Sequence, residues 1–371
     1  MGASGSDETD GGCKWPQRKR GRGMRCLRLF SVTAAVAVAA ECSFAGPQRR
    51  VSAGRRWAPR AGCRRAARAR GVEELYPPLA LHPGLFDPES VDDLVLPAMQ
   101  EATRAWRSTG DPGTIDIDDL PEARVDAPGV VSFGLLRPEA CAQILAEARH
   151  FCEQSGLPYE PPNSMNRQGV VLNDIGLRPT FTALFRRYLL GLGGRLFGDD
   201  AVRATSLRGT PLGTDDWGGA SLSDHHTFLV RYQPDGDRSL DMHVDEADVT
   251  FNVGLTEGDG LDFMGGELAF CGMFGAEGFR KRYHIYEHEL GRCVVHAGKR
   301  RHAVTKVTWG ERASLVMWSK SVLWRLTADY KAKCGDFVAG RKALPLEDGP
   351  PDAVCLSLRH DRDFLQWAHL L

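Results

Sequence analysis

Apolar positions along the chain follow two different periods. Between 138 and 197 they recur every three or four residues. Cys141, Ile144, Leu145, Ala148 and Cys152 share one helical face, opened by Pro138 and closed by Gly156 and Pro158. Phe181, Leu184, Phe185, Tyr188, Leu189, Leu192 and Leu196 form a second stripe over 179–197, whose last turns are weakened by Gly191, Gly193 and Gly194. A shorter helix is expected over 90–107 with Ser90 as its N-cap candidate. From 224 onward the period falls to two. In 227–232, Phe228, Val230 and Tyr232 point one way; in 249–255, Val249, Phe251, Val253 and Leu255 do. Further short strands are expected at 129–135, 267–270, 293–296, 302–307 and 312–318. Between them stand turn residues: PDGD at 234–237, the Gly-rich 258–266, Ala297-Gly298 and Trp309-Gly310. This pattern predicts a β sandwich or barrel with the two helices packed on its outer face.

Composition refines that picture. The chain has 371 residues, 42% of them hydrophobic, enough for a sizeable core and too many for wholesale disorder. Its net charge of -1 hides an asymmetry: residues 1–71 hold 16 basic and 4 acidic residues, leaving 31 basic and 44 acidic for the rest. An acidic body argues against a nucleic-acid-binding domain, whose main affinity term is cationic. No apolar run reaches the ~18–20 residues of a membrane-spanning helix. Within the leader, a basic stretch at 14–28 precedes a short apolar run at 29–40, as in a secretory signal. Nine arginines and no acidic residue follow the acidic residue Glu41, in 42–72. Signal followed by transit-like composition resembles the bipartite leaders of proteins sent to plastids of secondary-endosymbiotic algae; a mitochondrial or secretory destination is the alternative. The C-terminal WAHLL carries no ER-retention signal. The expected organisation is a targeting leader (1–71), an acidic Pro-rich extension (72–128) read, outside the 90–107 helix, as extended surface wrapping, a catalytic domain (129–325, core 224–321) and a tail (326–371). The ten cysteines show no C-x-x-C pair, and reduced, mostly buried thiols are expected.

Candidate chemistry concentrates in 241–314. His243 and Asp245 stand two apart in DMHVDEAD, hence on one side of an extended chain, and His302 follows in RRHAV. Two imidazoles and one carboxylate leave several coordination positions open, which suits non-haem Fe(II) that activates O₂. Arg312 comes ten residues after His302, beyond the Trp309-Gly310 turn, so the next strand returns it toward the metal. A guanidinium there grips a carboxylate in two-pronged fashion, and Ser314, two residues on, is placed to donate to the same group. Iron at one end and an anion clamp at the other fit 2-oxoglutarate. His296 competes as third ligand, but does not have the ten-residue spacing to Arg312. Asp241 and Asp248 are out of register and read as solvated. His225 and His226 read as structural or substrate-facing, Asn252 as core or pocket-facing, Trp318 as core, and the charged segment holding His284 and His288 as a solvated lid or loop.

H-x-D, then H, then R at plus ten resembles the Fe(II)/2-oxoglutarate-dependent dioxygenases, in particular their prolyl 4-hydroxylase-like branch, over residues 130–321. The stretches PNSMNRQGVVLNDIGL, HHTFLVRY and GKRRHAV resemble a plant and algal subgroup of that branch. The resemblance implies a mainly β chain with packed helices around a double-stranded β-helix (jelly-roll, cupin-like) core. It implies iron held by His243, Asp245 and His302, 2-oxoglutarate on Arg312, and ascorbate keeping the iron reduced. Tyr232 falls near a position where relatives place a tyrosine on the cosubstrate; Ser314 is not uniform among them. The implied partners are 2-oxoglutarate and O₂, with a prolyl or lysyl residue of a peptide or protein, or a small molecule, as substrate. The acidic body favours a basic peptide. The segment 256–291 is expected to act as a lid.

Overall fold

Side-chain alternation after 224 sorts residues onto two faces, and the structure, a computed structural model, uses both. It describes residues 71–197, 205–206, 210–211, 222–274, 278–328, 330 and 349–357; the leader call and most of the tail lie outside the described residues. The strands are β1 (Arg124–Ala127), β2 (Val130–Gly134), β3 (Gly169–Val171), β4 (Asp224–Tyr232), β5 (Leu240–His243), β6 (Val249–Gly254), β7 (Phe263–Met264), β8 (Leu268–Met273), β9 (Arg282–Tyr286), β10 (Arg292–Ala297), β11 (Arg300–Val304), β12 (Trp309–Gly310) and β13 (Arg312–Lys320). Seven form one sheet in the order β1-β2-β10-β6-β13-β4-β3, and four a second, β9-β8-β11-β5. The chain passes from β4 in the large sheet to β5 in the small one and back to β6, then repeats the excursion through β10, β11 and β13.

Phe228, Val230, Val294 and Val316 of the large sheet join Leu240, Leu268, Phe270 and Val304 of the small sheet in a single apolar cluster, so the two sheets face each other. Strands that alternate between two facing antiparallel sheets make a double-stranded β-helix, the jelly-roll anticipated above. Val249, Phe251 and Val253 of β6, with Leu315 and Met317 of β13, point the other way. They pack with Ile144, Phe181 and Leu192 from the helices α5 (Pro138–Gln154), α6 (Arg178–Leu184) and α7 (Leu190–Phe197). The last two are joined through a π-helical turn, Phe185–Leu189, and all seven residues of the expected apolar stripe are buried.

Several expectations are corrected. Outside the helix expected over 90–107, which forms in three pieces, the segment from residue 72 does not wrap the surface in extended form. It folds into α1 (Val72–Leu75), α2 (Val91–Leu94), α3 (Pro97–Ala102) and α4 (Arg104–Thr109), with intervening single turns, and it buries Tyr76, Val91, Met99, Trp106, Ile115 and Ile117 in the helix-side core. Its prolines cut the apolar pattern into pieces too short to show a period. Ser90 makes no side-chain cap; Asp87 accepts from the Glu89 N–H instead, and Pro97 restarts the helix. The segment 256–291 is no simple lid, because β8 lies inside the small sheet between β9 and β11. Asp248 is buried rather than solvated, accepting from the Ser321 N–H and pairing with Arg325 at 3.0 Å. Cys271 and Cys355 form a disulfide; Cys141, Cys152 and Cys293 are the free thiols among the described residues. The fold, not spacing, brings that pair together across 84 positions. No helix among the described residues is long and apolar enough to cross a membrane.

Candidate active site

His243 ends β5 and His302 lies opposite it in β11, as cross-strand partners. Their rings stand 4.3 Å apart. Asp245, two residues past His243, is anchored by its N–H to the Gly298 carbonyl at 2.9 Å. Its Oδ1 lies 3.5 Å from His243 Nε2 and 3.7 Å from His302 Nε2. One ligand atom from each of the three residues falls within 4.8 Å of the others, and no other such group occurs among the described residues.

The imidazoles are oriented by what their other nitrogen does. His243 Nδ1 stands 2.8 Å from the Asp241 carbonyl, and His302 Nδ1 3.0 Å from the Arg300 carbonyl. A carbonyl only accepts, so each Nδ1 carries the proton and each Nε2 keeps its lone pair for a metal. Thr250 donates to Asp245 Oδ2 at 2.6 Å, which leaves Oδ1 turned toward the two Nε2 atoms. Burial pushes His302 down to about 3, against the pull of Asp245. Burial alone would raise the Asp245 carboxyl, but His302 and His243 outweigh it and hold it below the usual carboxylate range. A neutral His302 and an ionised Asp245 are protonation states a divalent cation requires.

His296 is completely buried beside this cluster, its Nε2 4.0 Å from Asp245 Oδ2 and its Nδ1 on the Ala297 carbonyl. It adjoins the oxygen that Thr250 holds, away from the three converging atoms.

A narrow cavity of about 30 Å³ lies between the sheets, lined by His243, Asp245, His302, Asn252, Tyr232 and Arg312 among others. Arg312 opens β13 opposite Tyr232, with its guanidinium 5.1 Å from the centre of that ring. It is 1% exposed, and none of its three nitrogens has a hydrogen-bond partner among the described residues. Its stem passes Gly266, where an added Cβ would come within 2.8 Å of Arg312 Cδ; glycine is required there for this close approach. Burial lowers Arg312 to about 10, opposed by Tyr232, so it stays charged at neutral pH. A buried cation with no counter-ion awaits an anion. The donor set therefore fits both iron and the far carboxylate of 2-oxoglutarate.

The four residues joined by H-x-D, H and R thus share one cavity, as does Tyr232. Asn252 lines it too, on the face of β6 opposite the apolar residues. Ser314 shares the inward face of β13 with Arg312; its hydroxyl is buried and unpartnered, but it does not line the cavity. His225 faces the helices instead, between Thr182 and Thr227. His226 and Trp318 line a neighbouring groove of about 520 Å³ that also touches His243. Asp241 accepts from the Met242 N–H. His284 is half-buried, 3.9 Å from Asp126, on strand β9 rather than a loop. His288, read as solvated, is buried. Thr250 escaped sequence reasoning; its one signal was the polar side of an alternating strand.

Comparison with known proteins bears on the family of the chain. Residues 108–201 match the family model described as an OGFOD2-like domain. The chain is 32% identical over 227 residues to 2-oxoglutarate and iron-dependent oxygenase domain-containing protein 2 of Xenopus tropicalis, covering 61% of this chain and 57% of that protein. It is 30% identical over 223 residues to the Arabidopsis thaliana oxygenase domain-containing protein ICU11, covering 58% and 51%. The likeness thus reaches beyond plants and algae. More distantly, it is 26% identical over 199 residues to the human multifunctional procollagen lysine hydroxylase and glycosyltransferase LH3, covering 51% and 23%. Among solved structures, a Pseudomonas putida prolyl-4-hydroxylase aligns at 17% identity over 60% of this chain and 97% of that one, with a TM-score of 0.35, too low to bear on the fold. The chain spans about half the length of the curated oxygenase relatives it matches. Fold and site define the class: a jelly-roll with a two-histidine, one-carboxylate centre. Within that class the chain is similar to the 2-oxoglutarate and iron-dependent oxygenase domain-containing proteins.

Proposed function

We propose that the chain is an Fe(II)- and 2-oxoglutarate-dependent dioxygenase that hydroxylates an unactivated C–H bond, with a prolyl or lysyl residue of a peptide or protein as substrate. The observation that carries this reading is the sharing of one cavity by the His243, Asp245 and His302 cluster and a buried guanidinium with no counter-ion. When bound, iron with 2-oxoglutarate would supply the oxidation: the diacid loses CO₂ and takes one oxygen atom of O₂ to become succinate, and the other oxygen atom is inserted into the substrate C–H bond as a hydroxyl. His243, Asp245 and His302 hold the metal on one side. The backbone carbonyls of Asp241 and Arg300 and the Thr250 hydroxyl keep these ligands aimed. Arg312 orients the diacid by its far carboxylate, and the Tyr232 ring flanks that end. The free cavity of about 30 Å³ is smaller than a five-carbon diacid, so binding requires its lining side chains to move. Apolar walls exclude water from the reacting atoms.

The groove lined by Met165, His226, Trp318, Val244, Glu246 and Lys320 reaches His243 and supports a peptide chain rather than a fully enclosed small molecule. The lysine hydroxylase relative supports an amino-acid side chain as target. Ascorbate belongs in the assay as the reductant that maintains Fe(II).

The test is succinate release from the purified chain with Fe(II), 2-oxoglutarate, ascorbate and Pro- or Lys-containing peptides. His243→Ala and His302→Ala are expected to lose iron and turnover together. Arg312→Ala is expected to keep its iron but to weaken 2-oxoglutarate by roughly 10- to 150-fold, the value of a charge-assisted hydrogen bond. Full iron binding and succinate formation in either histidine variant would overturn the ligand assignment, and an unchanged 2-oxoglutarate dependence would overturn the clamp.

A further inference from the structure

An exposed apolar patch adjoins a cavity that the iron site does not use. The ribbon of β7 and β12 pairs Met264 with Trp309. Side chains directly opposite in an antiparallel pair share a face. Met264 is 54% and Trp309 53% exposed, and Leu261, in the turn that leads into β7, is 71% exposed. Single exposed apolar residues are ordinary; three large ones on one short ribbon mark a contact surface. The ribbon cannot fold the patch inward. The Thr308 N–H donates to the Met264 carbonyl at 2.8 Å and the Glu311 N–H to the Asp262 carbonyl at 3.2 Å, while Phe263 is buried between the sheets. Gly310 has φ 73°, and a Cβ there would lie 1.9 Å from the Asp262 carbonyl, so this close approach needs glycine.

Met264 also walls an open cavity of about 330 Å³. Glu257, Asp259, Glu267, Glu287 and Glu289 line it, and no lysine or arginine does. Three of these acids are engaged: Glu267 accepts from the Thr305 hydroxyl, Glu257 from the Leu290 N–H, and Glu289 pairs with Arg124. Asp259 and Glu287 are exposed, and their carboxylates have no partner among the described residues. His288 lines the same cavity. It is 4% exposed, neither ring nitrogen has a hydrogen-bond partner among the described residues, and Tyr286 packs edge-on against it with ring centres 5.4 Å apart. A buried imidazole left unsatisfied is destabilising until a donor reaches its lone pair. A metal ion is not that ligand, because among the described residues only His243, Asp245 and His302 bring three ligand atoms within 4.8 Å of one another. An organic cation, which needs no such convergence, fits.

We propose that the β7–β12 ribbon and this basin form a docking surface for a Lys- or Arg-rich segment of another protein that also carries an apolar residue. The cationic head enters the basin toward Asp259, Glu287 and His288. Its stem and the neighbouring apolar side chain lie on Met264, Leu261 and Trp309. The exposed face of Trp309 adds cation–π attraction. Charge selects this occupant: the acidic rim repels nucleic acid and anionic lipid, and a purely apolar partner would leave Asp259 and Glu287 unmatched. The basin shares no lining residue with the iron cavity or with the groove beside His243, so the inference does not rest on the catalytic reading.

The test is fluorescence anisotropy of a fluorescein-labelled peptide of lysines and leucines titrated with the full chain, the same peptide with glutamates for lysines serving as control. The lysine peptide is expected to bind, more weakly as salt is raised, and the glutamate peptide not to. Asp259→Asn with Glu287→Gln is expected to weaken binding about five- to tenfold, and Trp309→Ser about two- to fivefold. His288→Phe, which keeps a ring but no nitrogen, is expected to weaken it as well. Glu139→Gln with Glu153→Gln removes the same charge from α5 and is expected to change the affinity less than about twofold. Metal uptake unchanged in every variant shows that the fold is intact. No binding by the wild-type chain, or equal weakening by the basin and α5 variants, would overturn the docking surface. Self-association that Trp309→Ser abolishes while peptide binding persists would give the patch to a second copy of the chain and overturn it too.

Discussion

His225 and His226 are adjacent in sequence and opposite in fate. Alternation in β4 sends His226 to the groove with Trp318 and His225 to the helices, where Thr182 and Thr227 hydrogen-bond its two nitrogens at 2.9 and 2.8 Å. Burial lowers His225 from 6.5 to about 4. The unfolded chain therefore takes up this proton before the folded one does. The stability that His225 contributes is complete above pH 6.5 and is lost as the pH falls toward 4, by up to about 3 kcal/mol. His225→Gln is expected to flatten that acid limb, read as the difference in urea midpoints between pH 7 and pH 4.5; parallel limbs in both proteins would refute the assignment. At this scale His243, Asp245, His302 and Arg312 were legible because metal and anion chemistry restrict residue type and spacing together. Thr250 and His288 were not, because a threonine in a strand and a histidine in a charged stretch satisfy many environments.

The elements divide in the same manner. β4, β6, β10 and β13 were legible, each having at least one apolar face that must be covered. β5 and β9 were not: LDMH and RYHIY mix polar residues on both sides, and only pairing in the small sheet defines them. The helix expected over 90–107 is present in three pieces, but the short helical turns of 72–90 were missed, since they depend on tertiary anchors. Glu147 of α5 is the main one. It is fully buried and accepts from the Tyr76 hydroxyl and from the N–H groups of Leu81, at 3.1 Å, and His82, at 2.6 Å. Glu147→Ala would strand three donors, and a loss of about 2–4 kcal/mol in urea unfolding is expected, with the 71–82 region becoming the first site of limited proteolysis. Unchanged stability would show that the anchor is replaced by water.

For the molecule as a whole, the Cys271–Cys355 disulfide ties β8 to a segment near the C-terminus, where Arg282 donates through its N–H to Asp352 at 2.6 Å. Closing a loop of 84 residues restricts the unfolded chain, and Cys355→Ser is expected to cost about 2–4 kcal/mol under non-reducing conditions. Equal urea midpoints for both proteins would remove that role. The sequence by itself determined a β sandwich or barrel, which the family resemblance narrowed to a jelly-roll, together with the apolar faces and the four candidate residues of the centre, because periodicity and the chemistry of metal and anion ligands are local constraints that survive in a linear string. Only the tertiary structure decided which strands neighbour one another, which cysteines meet and which oxygen of Asp245 turns to the Nε2 atoms of His243 and His302. Those depend on contacts between residues far apart in the chain, where burial and the neighbouring charge, rather than residue type, set what a side chain does.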